Sequence, residues 1–320
     1  MKKLLSLFAK AALYLVAGVL GLLLFSGLCN GLLTSLEKYN HPFPGKMVSA
    51  GDTKVHVYTA GTGSDNVVLL SGLGTASPML DFEALARELR KKSRVTILEY
   101  PGYGWSDDTN NLRLTANIVE EVRQALREAN IPPPYVLVPH SISGLQSLYY
   151  ANTYPEEVKG IVGLDISVPE QLNYMSVQAE PVNINKLLRL AGIVRVAFWI
   201  DPSLSGATSL GLSGEDIKTF SMITNWVVGS QAVYGETSQV SENLRSLSGL
   251  KFPRSIPVTL VLSSEGVDSS ANGIPGHTWK AIHEDILTNC PDSKIVILQG
   301  GHYIHHRNEK QIAELVFELN

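Results

Sequence analysis

Short apolar runs rich in β-branched residues recur along most of this chain, alternating with segments of helical length, and that alternation limits the fold more than any other feature. The runs are Lys54–Thr59, Asn66–Leu70, Arg94–Glu99, Tyr135–Pro139, Gly160–Leu164, Pro257–Leu262 and Lys294–Leu298. Among the intervening segments, Phe82, Leu85 and Leu89 recur at helical spacing in Asp81–Lys91, and Ile118, Val122 and Leu126 do so in Thr115–Asn130. Ser143–Tyr154 and Lys310–Leu319 read as further helices. Parallel neighbours need a long crossover, so this pattern implies βαβ units, a mostly parallel central sheet and helices on both faces. The link between the first two runs is short and Gly-rich, which predicts an antiparallel start. The alternation breaks off between Gly160–Leu164 and Pro257–Leu262. Residues 168–252 are therefore read as an inserted helical cap on a core formed by 51–167 and 253–320.

The N-terminus is of another kind. Ala11–Leu33 carries no charged residue, and it exceeds the roughly 20 residues that cross a bilayer as a helix. A cleavable signal has an apolar core of only about 7–15 residues, so residues 1–36 are read as an uncleaved single-pass anchor. Lys2, Lys3 and Lys10 precede the apolar stretch, which places the N-terminus in the cytoplasm and the body outside the cell membrane. Residues 37–50, with Pro42, Pro44 and Gly45, read as a linker. The net charge of −4 is uneven: four lysines against Glu37 give the first 40 residues +3, leaving −7 for the rest. An acidic body gives no electrostatic basis for binding nucleic acid. Leu28 stands where a lipidated Cys29 needs a small residue, and a disulfide from Cys29 to Cys290 is not expected.

Chemistry is concentrated in Tyr135–Gly144, YVLVPHSISG, where a β-rich run passes into a helix through His140-Ser141-Ile142-Ser143. A serine at such a turn is held above the sheet edge with backbone N–H groups beside it. Alone, it could be an ordinary strand–helix serine. The segment resembles the nucleophile elbow of the α/β-hydrolase fold family, G-x-S-x-G, with Pro139 and Ser143 in the glycine places. Leu69–Thr75 (LLSGLGT) resembles that family's H-G-x loop, with Ser71 for the histidine, and Tyr100–Asp107 (YPGYGWSD) resembles its D-x-x-G-x-G-x-S loop. The likeness, closest to serine esterases and lipases, covers roughly residues 50–167 and 254–320. It implies an α/β-hydrolase fold with Ser141 as nucleophile and the N–H groups of Leu73 and Ile142 as the oxyanion hole. His302, after Gly300-Gly301 and the last run, stands where the family keeps its general base. The acid has two main candidates: Asp165, ending Gly163-Leu164-Asp165, and Glu265, past the run Pro257–Leu262, with Asp268 a third. The string from His302 to His306 also permits a metal reading, but no acidic or cysteine residue lies beside it in sequence, and neither metal nor cofactor is expected.

Three functions fit these residues. The first is a serine hydrolase acting on a carboxylic ester, with an apolar or lipid-derived acyl group in view. The second is the same machinery on an amide, as in aminopeptidase-like relatives, for which Glu170, Glu180 and Glu215 are candidate binders of a free amino group. The third is a non-catalytic binding protein of the same fold. The apolar stretch Asn185–Ile200 is either a helix buried in its own domain or a cap helix facing an acyl pocket or the membrane surface.

Overall fold

The computed structural model describes residues 2–41, 44–173, 182–208, 210–212, 214–268 and 278–319. Four runs, now β3 (Asn66–Leu70), β5 (Tyr135–Pro139), β6 (Val158–Leu164) and β7 (Val258–Ser263), are almost wholly buried. Near-continuous apolar sequence, rather than alternation, is what a strand covered on both faces requires. The other strands are β1 (Lys46–Ala50), β2 (Thr53–Ala60), β4 (Arg94–Leu98) and β8 (Ser293–Leu298), and the sheet order is β1-β2-β4-β3-β5-β6-β7-β8. All pairings from β4 to β8 are parallel.

Two apolar layers cover the sheet. Along β3, Val67 and Leu69 join one layer and Val68 and Leu70 the other, the period of two that a pleated strand imposes. The first layer holds α3 (Glu83–Leu89, after the single turn α2, Pro78–Asp81) and α11 (Glu309–Phe317). The second holds α4 (Thr115–Glu128), α5 (Ser143–Thr153), α9 (Gln231–Ser246) and α10 (Trp279–Ile286). Between β6 and β7 the chain also forms α6 (Ile184–Leu190), α7 (Ile193–Ile200) and α8 (Glu215–Val227). The N-terminal helix α1 (Lys2–Asn40) packs with α6–α8 as one compact unit, and residues 44–173 with 230–319 form the other. From Leu5 to Asn40, α1 is long and apolar enough to cross a membrane.

Two sequence expectations are corrected. The segment read as a linker contains β1, which pairs antiparallel with β2 through the turn at Gly51-Asp52. Its short KMVSA run has too little apolar content to stand out, but Val48 and Ala50 alternate into the core. The antiparallel start also has different partners. β2 pairs with β1 and β4, not with β3, because the link after β2 carries the chain past the start of β4, where Arg94 N–H donates to Asp65 O (2.8 Å).

Candidate active site

Ser141, Asp165 and His302 each follow the C-terminal end of a parallel strand. β5 ends at Pro139 and α5 begins at Ser143, so the turn between them is tight, and Ser141 adopts φ +55°. That left-handed conformation strains a non-glycine residue, and backbone bonds fix it. His140 N–H donates to Leu70 O (2.9 Å), Ser141 N–H to Leu164 O (3.2 Å), and Ser167 N–H to Ser141 O (2.8 Å). Pro139, paired with Leu70, lacks a ladder N–H, and the bond from His140 supplies the next rung. A Cβ at Gly72 would lie 3.0 Å from Ser141 Cβ, so glycine there lets the two loops meet.

Ser141, His302 and Asp165 form one hydrogen-bonded line. Ser141 Oγ lies 2.9 Å from His302 Nε2, and His302 Nδ1 lies 2.7 Å from Asp165 Oδ2. The second carboxylate oxygen of Asp165 accepts from Trp279 Nε1 (2.9 Å) and Ser263 N–H (3.2 Å). Burial pushes the Asp165 carboxyl up, but these hydrogen bonds, led by His302, outweigh it and hold the group below the usual carboxylate range. Glu265 and Asp268 are exposed and make no hydrogen bond to His302 among the described residues. The N–H groups of Leu73 and Ile142 have no protein acceptor among the described residues.

Side chains that the sequence reading passes over shape the same loops. Ser143 Oγ donates to the Ser71 carbonyl oxygen and lies 3.0 Å from Tyr100 OH. Thus the serine in a glycine place ties the elbow to the loop carrying Leu73. Gly74 N–H donates to Tyr103 OH (3.0 Å), and that hydroxyl donates to Glu236 Oε2 (2.8 Å). Burial pushes the Glu236 carboxyl up. Ser143 is visible as a departure from the motif; Glu236 and Trp279 carry no local signal because chain topology alone brings them here.

A family model for the alpha/beta hydrolase fold matches residues 65–188. The solved structures most like this chain include Cfl2 from Burkholderia cenocepacia (TM-score 0.63, 18% identity, covering 85% of this chain and 94% of that one). They also include a variant of the epoxide hydrolase from Solanum tuberosum (TM-score 0.67, 17% identity, covering 85% and 97%). The chain has the α/β-hydrolase fold. Among curated proteins, this chain is 36% identical over 127 residues to an uncharacterised protein of Bacillus subtilis, YbdG, covering 40% of this chain and 39% of the relative. It is also 31% identical over 325 residues to an uncharacterised protein of Schizosaccharomyces pombe, covering 86% and 56%. The chain thus spans 39% and 56% of the lengths of these two relatives.

Behind the His302 loop lies a second cluster. Buried Asp81 pairs with His305 Nε2 (3.1 Å) and His306 Nε2 (2.8 Å), and His140 Nε2 lies 3.1 Å from the His302 carbonyl oxygen. Sequence reasoning finds no acid beside the histidine string, since Asp81 is distant in sequence. Asp81, His140 and His305 offer possible ligand atoms within 4.8 Å of one another. The Asp81 contacts are carboxylate–imidazole hydrogen bonds. The pairing with His305 and His306 overcomes burial and holds the Asp81 carboxyl well below its ordinary value, whereas burial brings His140 down to about 3.

Proposed function

We propose that this protein is a serine hydrolase that cleaves carboxylic esters through an acyl-enzyme on Ser141. The observation that carries the reading is the unbroken line Ser141–His302–Asp165, at 2.9 and 2.7 Å. A serine hydroxyl is a poor nucleophile until a base takes its proton. His302 Nε2 takes it as Ser141 Oγ attacks the carbonyl carbon, and Asp165 stabilises the resulting imidazolium. The N–H groups of Leu73 and Ile142 hold the tetrahedral oxyanion. His302 then protonates the leaving alcohol. Water, deprotonated by the same imidazole, releases the acid and restores Ser141.

Serine at position 141 favours this chemistry over the epoxide hydrolysis named for several fold neighbours, since a carboxylate nucleophile would suit that reaction. The aminopeptidase reading is weaker because two proposed amine binders are engaged: Glu170 by Lys251 (3.1 Å) and Glu215 by Lys218 (2.7 Å). Glu180 lies outside the described residues. With α1 as a single-pass anchor, the catalytic body faces the extracytoplasmic side.

The test is to react the full chain with a fluorophosphonate probe, then with short- and long-chain p-nitrophenyl esters and aminoacyl amides. Labelling at Ser141 with ester turnover is expected. No labelling would overturn the catalytic reading, and turnover of the amides alone would overturn the ester assignment.

A further inference from the structure

The helix α1 is longer than a bilayer is thick. Its 39 residues extend ~58 Å at about 1.5 Å per residue, against roughly 30 Å of hydrocarbon. Protein contact begins inside the uncharged Ala11–Leu33 stretch. Leu23, Ser26, Gly27, Asn30, Thr34 and Glu37 recur at three- and four-residue steps and are partly or fully covered.

The cover includes the α6–α7 hairpin. A Cβ at Gly27 would meet the Leu190 carbonyl oxygen at 2.5 Å, and one at Gly192 would meet Ser26 Oγ at 2.5 Å. Small residues let the backbones touch, as in helix packing within lipid. Polar groups then close the contact. Asn30 Nδ2 donates to Arg189 O (2.9 Å), and Arg195 donates to Asn30 Oδ1 (2.7 Å), Thr34 Oγ1 (2.9 Å) and the Glu37 carboxylate. Trp226 Nε1 adds a bond to Glu37 (2.9 Å). These partners fix the hairpin at the level of Ser26–Glu37.

At that level the hairpin leaves Leu187, Leu190, Ile193, Val196, Trp199 and Ile200 exposed, from 42% at Ile193 to 81% at Ile200. Soluble proteins rarely expose so continuous an apolar surface. Residues 184–200 contain no acidic residue, and Arg189 and Arg195 are engaged in helix contacts, with Trp226 O and with α1. An apolar surface with no carboxylate beside it suits a helix lying at a lipid surface. The rise from Ser26 to Leu33 is ~10 Å, comparable to the 5–10 Å to which such helices sink.

We propose that the α6–α7 hairpin lies in the membrane, at the acyl-chain and headgroup boundary of the leaflet facing the body, with these six side chains against lipid. The proposal rests on α1 as the membrane span but not on the chemistry of Ser141. The full chain is reconstituted in phosphatidylcholine vesicles, plain or with bromines high on the acyl chains, and its emission is compared with that of Trp199→Phe. The emission lost with Trp199 should be blue-shifted, strongly quenched by the brominated lipid and insensitive to aqueous iodide. Iodide quenching without bromine quenching overturns the proposal, as does a chain that alkaline carbonate strips from the vesicles. As a second readout, Ile200→Cys in a Cys29→Ser, Cys290→Ser background should resist a membrane-impermeant maleimide in vesicles and react after denaturation. Equal labelling in both states overturns it. Neither readout uses hydrolysis, so failure of the serine hydrolase reading would be seen separately.

Discussion

Replacing Asp165 by asparagine exchanges one oxygen for an NH₂ group, and the surrounding donors determine where that group must point. Oδ1 of Asp165 accepts from Trp279 Nε1 and Ser263 N–H, so the oxygen of the new amide is held on that side. Its NH₂ then faces His302 Nδ1, 2.7 Å away in the parent. His302 must accept at Nδ1 and carry its proton on Nε2, the atom that has to receive the proton of Ser141. The nucleophile is intact but has no base. A wrong tautomer of this kind costs about 10⁴ in kcat, or ~5.5 kcal/mol of barrier. The assay is kcat and kcat/KM on a p-nitrophenyl ester, with the thermal midpoint showing that the variant remains folded. Trp279→Phe alone removes one donor to the carboxylate and should lower kcat by about tenfold. In the Asp165→Asn background it should return part of the lost activity, because only Ser263 then opposes rotation of the amide. Glu265→Gln should leave activity within about twofold, as expected for a surface change away from the hydrogen-bonded line. An Asp165→Asn protein with more than about a tenth of parental kcat would refute the tautomer argument; a large loss in Glu265→Gln would move the acid there.

Ser143→Gly restores the glycine of the family motif but removes the bond to the Ser71 carbonyl oxygen, so kcat/KM should fall about two- to tenfold, one hydrogen bond's worth, at unchanged thermal stability within about 1 kcal/mol. Tyr103→Phe takes the acceptor from Gly74 N–H and should slow acylation by the fluorophosphonate probe; an unchanged rate would show that this bond does not position the Leu73 loop. His140, held at about 3 against an ordinary 6.5, refuses a proton that the unfolded chain accepts. Its depressed value therefore makes stability fall as pH drops from 6.5 towards 3, by ~2 kcal/mol between pH 6.5 and 5. Asp81 adds its own loss from about pH 5 downwards, as the unfolded carboxylate, half-protonated at its ordinary 3.8, takes up its proton. His140→Gln, which keeps a donor for the His302 carbonyl, should flatten the higher window in thermal scans and leave the lower one.

The sheet is legible because a strand buried on both faces must be apolar throughout, as in VVLL of β3 and YVLV of β5. The strand β1 is less so, since it buries only alternate small residues on one face. Ser141 and Asp165 can be picked out because each closely follows such a run, and His302 because it follows Gly300-Gly301 after the last strand; parallel strands bring their C-terminal ends together. What hides is whatever depends on topology. Asp81 reaches His305 and His306 across more than two hundred residues, and Trp279 reaches Asp165 across more than one hundred, with no local pattern to announce either contact. The Asn185–Ile200 stretch shows a different limit. Its apolar content can be read, but the packing of α6 and α7 on α1 depends on Arg195 finding Asn30, Thr34 and Glu37.

Ser141 and Asp165 share one further property: at φ +55° and +44° they occupy backbone conformations in which a side chain is a liability. Glycine would sit in either place more comfortably, by an amount on the order of 1 kcal/mol. The aspartate recovers part of that cost in folding, since its carboxylate accepts from Trp279 Nε1 and Ser263 N–H. The serine side chain has one bond in return, with His302, so a chain optimised only for durability would drift towards glycine at position 141. The strain at Ser141 is what the proposed nucleophile would cost the fold.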